Sequence, residues 1–403
     1  MQNFRTIQPN LLSRPLFPAN QRQQIIRTEN AAHSIKNVLH IETSVNWGGQ
    51  EYRTLEEIQW LNQHGYRSLL VCQPHSEICK MAKKREVPFL ALPVKRGLNL
   101  ASFWKILRLL RREKINIIHT HSSKDSWITF PLYLAGWTVV RSRHVLLGDK
   151  TTINRTFFFR YGCSRIIATA NKIQDDLIRR FGVRSDKVDV VGEGIDFRKF
   201  NPTVDGSRFR KQFQVPPGTL LVGMIGMIRK QKGQAQFIEA ALRILKSNPN
   251  VRFVLAGTAT ESMRAYEEQC RQRIEEAGAS NSILMPGYID DVPGLIASLD
   301  LMVVPSYSEA QSRVVPEAFA MRKPVIASSA GGLPELIHDG VNGLLVPPGD
   351  TPSLVNAIER LLGDLTLREK LAYAGYQKAC PDLSFDRLME ATLSVYHKAC
   401  VAK

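Results

Sequence analysis

Short apolar runs alternate with amphipathic stretches along most of the chain. The first run, NVLHI at 37–41, precedes EYRTLEEIQWLNQHG, where Leu55, Ile58 and Leu61 share one helical face before Gly65. A short apolar run is typical of a buried strand, whereas a helical period that ends at a glycine is typical of a helix. The pattern therefore predicts a strand followed by a helix.

The same alternation continues through two long segments of the chain. In the first segment it predicts strands at 68–74, 89–94, 115–121, 139–144, 165–170 and 187–196, and helices at 78–87, 102–114 and 171–181. In the second it predicts strands at 220–226, 251–257, 283–287, 300–306, 323–328 and 343–348, and helices at 235–247, 261–278, 314–322, 353–364 and from about 366 to 400. Alternating strands and helices imply parallel sheets with helices on both faces.

A stretch rich in proline and polar residues separates the two segments. It covers residues 201–219 and includes Pro216, Pro217 and Gly218, so it predicts a linker. A chain of 403 residues is long enough for two domains. We therefore expect a polar N-terminal extension (1–33), an N-terminal Rossmann-like domain (34–200), a C-terminal Rossmann-like domain (220–384) and a last helix (385–403) that packs back on the first domain.

The charge of the chain is concentrated in its first half. Residues 1–200 contain 32 Lys+Arg and 16 Asp+Glu, whereas the remaining residues contain 22 and 21. A basic surface attracts nucleic acid, anionic lipid headgroups or acidic substrates. No nucleic-acid-binding module is recognisable, so we do not expect a nucleic-acid partner.

Six scattered cysteines and the lack of long apolar runs indicate a cytoplasmic protein. The cysteines form no CxxC pair and no Cys/His cluster with metal spacing, which is typical of reduced packing residues. No stretch approaches the ~18 apolar residues of a membrane span, and the N-terminus lacks the apolar core of a secretory signal.

The segment SYSEAQSRVVPEAFA (306–320) carries the clearest candidate chemistry. Glu309 follows a predicted strand, and Glu317 lies eight positions later on the next helix. Between them are the backbone amides of Ala310, Gln311, Ser312 and Arg313. Free amides at a helix start suit a diphosphate, and carboxylates accept hydrogen bonds from sugar and ribose hydroxyls. Taken alone, the pair could equally be two surface glutamates beside a helix start.

This segment resembles the E-x7-E signature of the retaining glycosyltransferases of family 4, which have the GT-B fold. The resemblance continues through EAFAMRKPVIAS (317–328) and GGLPELIHDGVNGLLVPPGD (331–350). It implies an α/β protein with two Rossmann-like domains facing a cleft. It also implies the transfer of a sugar from a nucleoside-diphosphate sugar to a glycan or lipid-linked acceptor, with retention of configuration. More loosely, WGGQE (47–51) and HTHSSKDSW (119–127) resemble bacterial enzymes that build lipopolysaccharide or other surface glycans.

The resemblance assigns expected roles to several matching residues. Glu309 would bind the donor sugar and stabilise the developing oxocarbenium charge, and Glu317 would bind the ribose hydroxyls. His121 matches the family's histidine near the donor sugar, with His119 as the weaker match. The glycine pairs would let the backbone approach phosphate, sugar or acceptor, although each could also be a simple turn; these are Gly48 and Gly49, and Gly331 and Gly332.

The loop GMIRKQKG (226–233) resembles the one that neutralises the donor diphosphate in this family. Lys232 matches the family's lysine, while Met227 stands where an arginine is usual, so Arg229 is a substitute candidate. Glu193 is a second departure, at a position where asparagine is usual. The fold uses basic side chains and helix dipoles in place of a metal, so we expect neither a metal ion nor another cofactor.

Basic and aromatic residues occur together in the first half, as at 78–87, 102–114 and 154–162. Such a mixture suits an anionic membrane surface, so we expect peripheral attachment at the inner leaflet of the plasma membrane. A solvated helix face explains the basic residues of 102–114 equally well. Two further alternatives for the whole chain are a sugar-nucleotide epimerase or phosphorylase on the same fold, and a non-catalytic relative that binds nucleotide sugars.

Overall fold

Two parallel sheets organise the protein. The structure is a computed structural model that describes residues 35–94, 99–148 and 151–401, so the predicted extension at 1–33 lies outside the described residues. One sheet has seven strands in the order β3-β2-β1-β4-β5-β6-β7, and the other has six in the order β10-β9-β8-β11-β12-β13. Both orders reverse direction at the first strand of the sheet, where open α/β sheets bind their ligands.

The first sheet and its helices follow the predicted alternation. Its strands are β1 (Asn37–Glu42), β2 (Arg67–Cys72), β3 (Phe89–Ala91), β4 (Ile117–Thr120), β5 (Thr138–Arg143), β6 (Arg165–Ala168) and β7 (Val188–Val190). The helices are α1 (Gly49–Gln63), α2 (Glu77–Lys84), α3 (Leu100–Arg112), α4 (Ser126–Leu134), α5 (Ile153–Tyr161) and α6 (Asn171–Arg179).

The second sheet follows a short helix, α7 (Ser207–Gln212), that lies within the predicted linker. Its strands are β8 (Leu220–Ile225), β9 (Val251–Ala256), β10 (Ile283–Gly287), β11 (Leu301–Val304), β12 (Val325–Ser328) and β13 (Leu344–Val346). The helices are α8 (Gln234–Ser247), α9 (Arg264–Glu276), α10 (Val292–Ser298), α11 (Val314–Ala320), α12 (Leu333–Leu336), α13 (Thr351–Gly363), α14 (Leu365–Asp382) and α15 (Phe385–Val401).

The last helix joins the two halves of the chain. After α14, helix α15 packs its buried residues Met389 and Tyr396 against Val38 and Ile117 of the first sheet. The Ile195 amide donates to the Leu383 carbonyl (2.7 Å), and the Phe385 amide donates to the Ile195 carbonyl (3.0 Å). The C-terminus of the chain therefore belongs to the core of the N-terminal domain.

Five described helices were not predicted from the sequence; two of them, α7 and α12, have only six and four residues. Helix α4 contains Pro131 and is apolar around most of its circumference, α5 is dominated by aromatic residues, and α10 is only seven residues long. Each lacks the periodic apolar stripe that makes a helix recognisable in a sequence. In the part of the chain that the structure describes, no helix combines the length and the apolar character needed to span a bilayer.

Candidate active site

Glu309 and Lys232 meet where two neighbouring strands end. Glu309 lies in the loop after β11, and Lys232 ends a short helical turn after β8. Lys232 Nζ lies 2.5 Å from Glu309 Oε2, and Ser306 Oγ donates to the same oxygen (3.1 Å). The structure thus joins two sequence-predicted residues in one ion pair. Because the Glu309 side chain is only 9% exposed, this pair is weakly screened by solvent.

Glycines hold the Glu309 loop against its neighbours. Gly331 has φ +58°, and a Cβ there would lie 1.8 Å from the Glu309 carbonyl oxygen, so no other residue fits without movement. The Gly332 amide donates to the same carbonyl (3.0 Å). This glycine pair therefore packs on the backbone of Glu309. Because the Gly332 amide already donates to the Glu309 carbonyl, it is not free to donate to a ligand.

The backbone between Glu309 and helix α11 offers unused donors. In the described ranges, no residue accepts a hydrogen bond from the amides of Ala310, Gln311, Ser312 and Arg313. The first of these amides belongs to the residue that directly follows Glu309, whose carboxylate pairs with Lys232. Arg229, half-buried in the loop that carries Lys232, makes no ion pair with a described residue.

Arg313 extends from this segment into the N-terminal domain. Its guanidinium lies 3.1 Å from Glu56 and 3.5 Å from Glu193, and it also reaches Glu317 at 3.4 Å. It stacks on the Tyr52 ring with its central carbon 4.7 Å from the ring centre. The side chain of Arg313 therefore bridges the two domains. The sequence predicted only that the backbone amide of Arg313 would contact the donor.

Glu317 is held in this buried network of charges. Burial is the main cause that raises the pKa of Glu317 to about 7; Arg313 opposes this shift, and Glu56 and Glu193 add to it. Glu317, which is expected to bind the ribose hydroxyls, thus forms an ion pair with Arg313 in the ligand-free protein. A donor ribose must share Glu317 with that arginine or replace it.

Both departures from the family pattern lie at the domain contact. A Cβ on Gly48 would lie 3.2 Å from Met227 Cε, and one on Gly49 would lie 3.1 Å from Arg313 Cδ. Glu193 lies 3.4 Å from Arg53 and pairs with Arg313 as well. The first glycine loop therefore packs directly on the second domain, and Glu193 supplies charge to the bridge.

His121 lies in the interior, in a row of three imidazoles. Its Nε2 is 3.0 Å from Nδ1 of His40, and its Nδ1 is 3.1 Å from Nε2 of His144. Burial lowers the pKa of His40 to about 3 and lowers the pKa of His121 and His144 well below the usual value. The three rings are therefore neutral at pH 7, and both nitrogens of His121 face other histidines.

The sequence reading missed several charged residues around these sites. Arg53, Glu56 and Glu57 lie on α1, where their spacing matches an ordinary solvent-facing helix surface, but all three are buried. His144 directly follows strand β5, a position where ligand-binding residues are common, whereas His40 lies within strand β1. Their importance depends on neighbours that are distant along the chain.

Solved structures define the class of fold. The HepE protein of Anabaena, crystallised with UDP and glucose, is 22% identical and has a TM-score of 0.80. That comparison covers 89% of this chain and 99% of that one. The chain therefore has the GT-B fold, with two Rossmann-like α/β domains, as the sequence predicted.

Family comparisons match each domain separately. Residues 47–199 match the description "Glycosyltransferase Family 4", and residues 205–378 match "Glycosyl transferases group 1". The chain belongs to these GT-B glycosyltransferases of the group 1 and family 4 type, and it is an enzyme of that class.

Curated relatives have varied activities. D-inositol 3-phosphate glycosyltransferase of Salinispora arenicola is 31% identical over 59% of this chain, and a lipopolysaccharide core mannosyltransferase of Rhizobium meliloti is 29% identical over 51%. The chain spans only 55% and 60% of their lengths. A UDP-Gal:alpha-D-GlcNAc-diphosphoundecaprenol alpha-1,3-galactosyltransferase of Escherichia coli is 26% identical over 84% of this chain and 90% of the relative.

Proposed function

We propose that the protein transfers a sugar from a nucleoside-diphosphate sugar to a hydroxyl of a glycan or lipid-linked acceptor, with retention of configuration. The observation that carries the proposal is the contact between Lys232 and Glu309 beside the unused amides of 310–313. A cation and free amides suit the diphosphate, and an adjacent carboxylate suits the sugar.

The ion pair explains how donor binding prepares the site. When Lys232 turns to the diphosphate, Glu309 is released to accept hydrogen bonds from the sugar hydroxyls. The bond from the anomeric carbon to the diphosphate oxygen then breaks, while the acceptor oxygen bonds to the same face of that carbon. The acceptor proton passes to the departing phosphate, so no protein nucleophile is needed. Lys232 stabilises the charge on the leaving group without a metal ion.

The remaining residues predicted from the sequence have proposed roles around the donor and the acceptor. Arg229, three residues before Lys232 in the same loop, would add positive charge at the diphosphate. Gly48 and Gly49, which pack on the second domain, line the entrance for the acceptor. Glu317 accepts hydrogen bonds from the ribose hydroxyls once its ion pair with Arg313 breaks. His121 takes part only if one of its two histidine contacts opens.

Known relatives support the substrate classes. UDP and glucose are bound in the HepE structure, and UDP-glucose is bound in another structure of that protein. Two of the relatives act on lipopolysaccharide core or on a diphosphoundecaprenol-linked sugar, by their names. We therefore propose that the protein acts in the synthesis of bacterial lipopolysaccharide or of another surface glycan. We also propose that it is cytoplasmic.

The outer face of α3 supports a membrane-facing acceptor domain. Trp104 is 62% exposed and Leu100 is 62% exposed, on the same helix as exposed Arg108 and Arg111. The buried residues of α3 are Ser102, Ile106, Leu109 and Leu110, so the basic and aromatic face is left to solvent. An exposed face of this kind suits attachment to the anionic inner leaflet.

A thermal-shift experiment tests the donor site. UDP-, GDP- and ADP-sugars are added to the protein, and the donor that fits raises the melting temperature by mass action. Lys232→Ala is expected to lose most of that rise because the diphosphate loses its cation. Lys246→Ala, which removes an exposed lysine from the far end of α8, is the control and keeps the rise. An undiminished rise in Lys232→Ala contradicts the assignment.

A further inference from the structure

Four buried side chains meet inside the N-terminal domain, apart from the proposed diphosphate contacts. They are His40 on β1, His119 on β4, His121 just after β4, and Glu57 on α1. One ligand atom from each lies within 4.8 Å of those from the other three. Ligand atoms around a tetrahedral zinc ion are separated by about 3.3 Å, as its bond lengths require, so a modest contraction would suffice.

Two atoms of this cluster have no partner. Glu57 Oε2 and His40 Nε2 are buried, and no described residue forms a hydrogen bond with either. Glu57 Oε2 lies 3.7 Å from His119 Nδ1. A buried polar atom without a partner is destabilising, and a bound ion would give the Glu57 oxygen a partner.

The other atoms of these side chains are held as those of metal ligands usually are. Nε2 of His119 lies 2.7 Å from Ser142 Oγ, Nδ1 of His121 lies 3.1 Å from His144, and Glu57 Oε1 accepts from Arg53 Nε (2.7 Å). Such partners fix the orientation of each ring and carboxylate. The remaining nitrogen of His121 lies 3.0 Å from His40 Nδ1, so an ion would take the place of that contact between the two rings.

The charges around the cluster also favour a cation. The connected ion pairs contain five carboxylates, those of Glu56, Glu57, Glu193, Glu317 and Asp196. They contain four cations, those of Arg53, Arg313, Lys199 and Arg198. The network therefore has one negative charge in excess when all its carboxylates are ionised. A cation bound at Glu57, which is fully buried, would compensate that charge.

We propose that His40, His119, His121 and Glu57 bind a structural Zn²⁺ ion. Three imidazole nitrogens and one carboxylate oxygen are ligands that zinc prefers. The ion would tie β1, β4 and α1 together, while the transfer reaction itself stays free of metal. The Tyr396 hydroxyl, which lies 2.7 Å from Nδ1 of His119, would have to move if that nitrogen binds the ion. His121 would then support the domain, in place of the direct sugar contact implied by the resemblance.

Metal analysis of the full chain, prepared without an affinity tag, tests this site. After exposure to Zn²⁺ and desalting, we expect about one zinc per chain, as for a closed structural site. His40→Asn and Glu57→Gln should each lose most of it. His64→Asn removes an exposed histidine whose ring stacks on Trp60, outside the cluster, so this variant should keep its zinc.

Cobalt provides a readout that does not depend on how stable the variants are. Co²⁺ added to metal-free wild type should give the visible absorption of a tetrahedral complex, which Zn²⁺ then abolishes. Absence of both zinc and the cobalt absorption in folded wild type would overturn the proposal, and so would equal zinc loss in His64→Asn. The rise in melting temperature with donor, measured on the same samples, depends on Lys232, so failure of the zinc site is distinguishable from failure of the proposed function.

Discussion

Glu309 and Glu317, eight positions apart in the sequence, lie in different surroundings. Glu309 pairs with Lys232 of its own domain, whereas Glu317 pairs with Arg313, which reaches across to Glu56. The spacing predicted that both glutamates belong to one segment at the end of a strand. It could not predict their partners, because these depend on loops that are distant in the sequence.

Gly331 allows a test of how the Glu309 loop is held. Gly331→Ala should lower the free energy of unfolding by about 1–3 kcal/mol and should weaken donor binding, because the new Cβ meets the Glu309 carbonyl. Gly340→Ala is a matched control, since Gly340 also has positive φ (+69°) but has open space around its Cβ position. Urea denaturation and the donor thermal shift measure the two effects. Equal donor binding in both variants would contradict this role of Gly331.

At the scale of elements, the sequence predicted all thirteen strands found in the described residues, but it did not predict five of their helices. Parallel strands buried on both faces leave apolar runs that are easy to recognise. Helices α4 and α5 lack a polar face of regular spacing, so their sequences give no clear period. Helix α7 lies in a stretch whose prolines and glycines predicted only a linker.

The bridge between α1 and the start of α11 could not be predicted, because Arg313 and Glu56 are 257 positions apart. Arg313→Ala should lower the free energy of unfolding by about 3–5 kcal/mol, since it leaves the buried Glu317 unpaired and removes one of the two cations at Glu56 and at Glu193. Arg198→Ala, which removes an arginine that is 83% exposed and paired with Asp196, should cost at most about 1 kcal/mol. Urea denaturation compares the two variants, and equal stabilities would show that the bridge contributes little.

At the scale of the whole molecule, a basic N-terminal domain is joined to a nearly neutral C-terminal domain. The charge distribution alone left two explanations, a membrane-facing surface and an ordinary solvated helix. The structure adds that Trp104 and Leu100 are exposed on the basic helix α3. Membrane attachment stays a prediction. It concerns the whole molecule because it depends on the summed charge of a domain.

Vesicle binding tests the membrane prediction. Arg108→Ala with Arg111→Ala should weaken binding to phosphatidylglycerol-containing vesicles about 30-fold at low salt, at roughly 1 kcal/mol per charge. Lys246→Ala with Lys370→Ala removes the same charge from exposed positions of the neutral domain and should have little effect. Sedimentation with vesicles gives the affinities. A wild-type protein that ignores anionic vesicles at low salt contradicts the prediction.

The most direct test of the central claim is the activity of Glu309→Ala. With the donor identified by thermal shift, release of nucleoside diphosphate is measured for wild type, Glu309→Ala and the exposed control Glu359→Ala. The proposed role predicts that Glu309→Ala remains folded and loses activity by about 100- to 1,000-fold or more, because the developing positive charge loses its carboxylate. The control variant should match wild type. Full activity in a folded Glu309→Ala protein would contradict the proposed site.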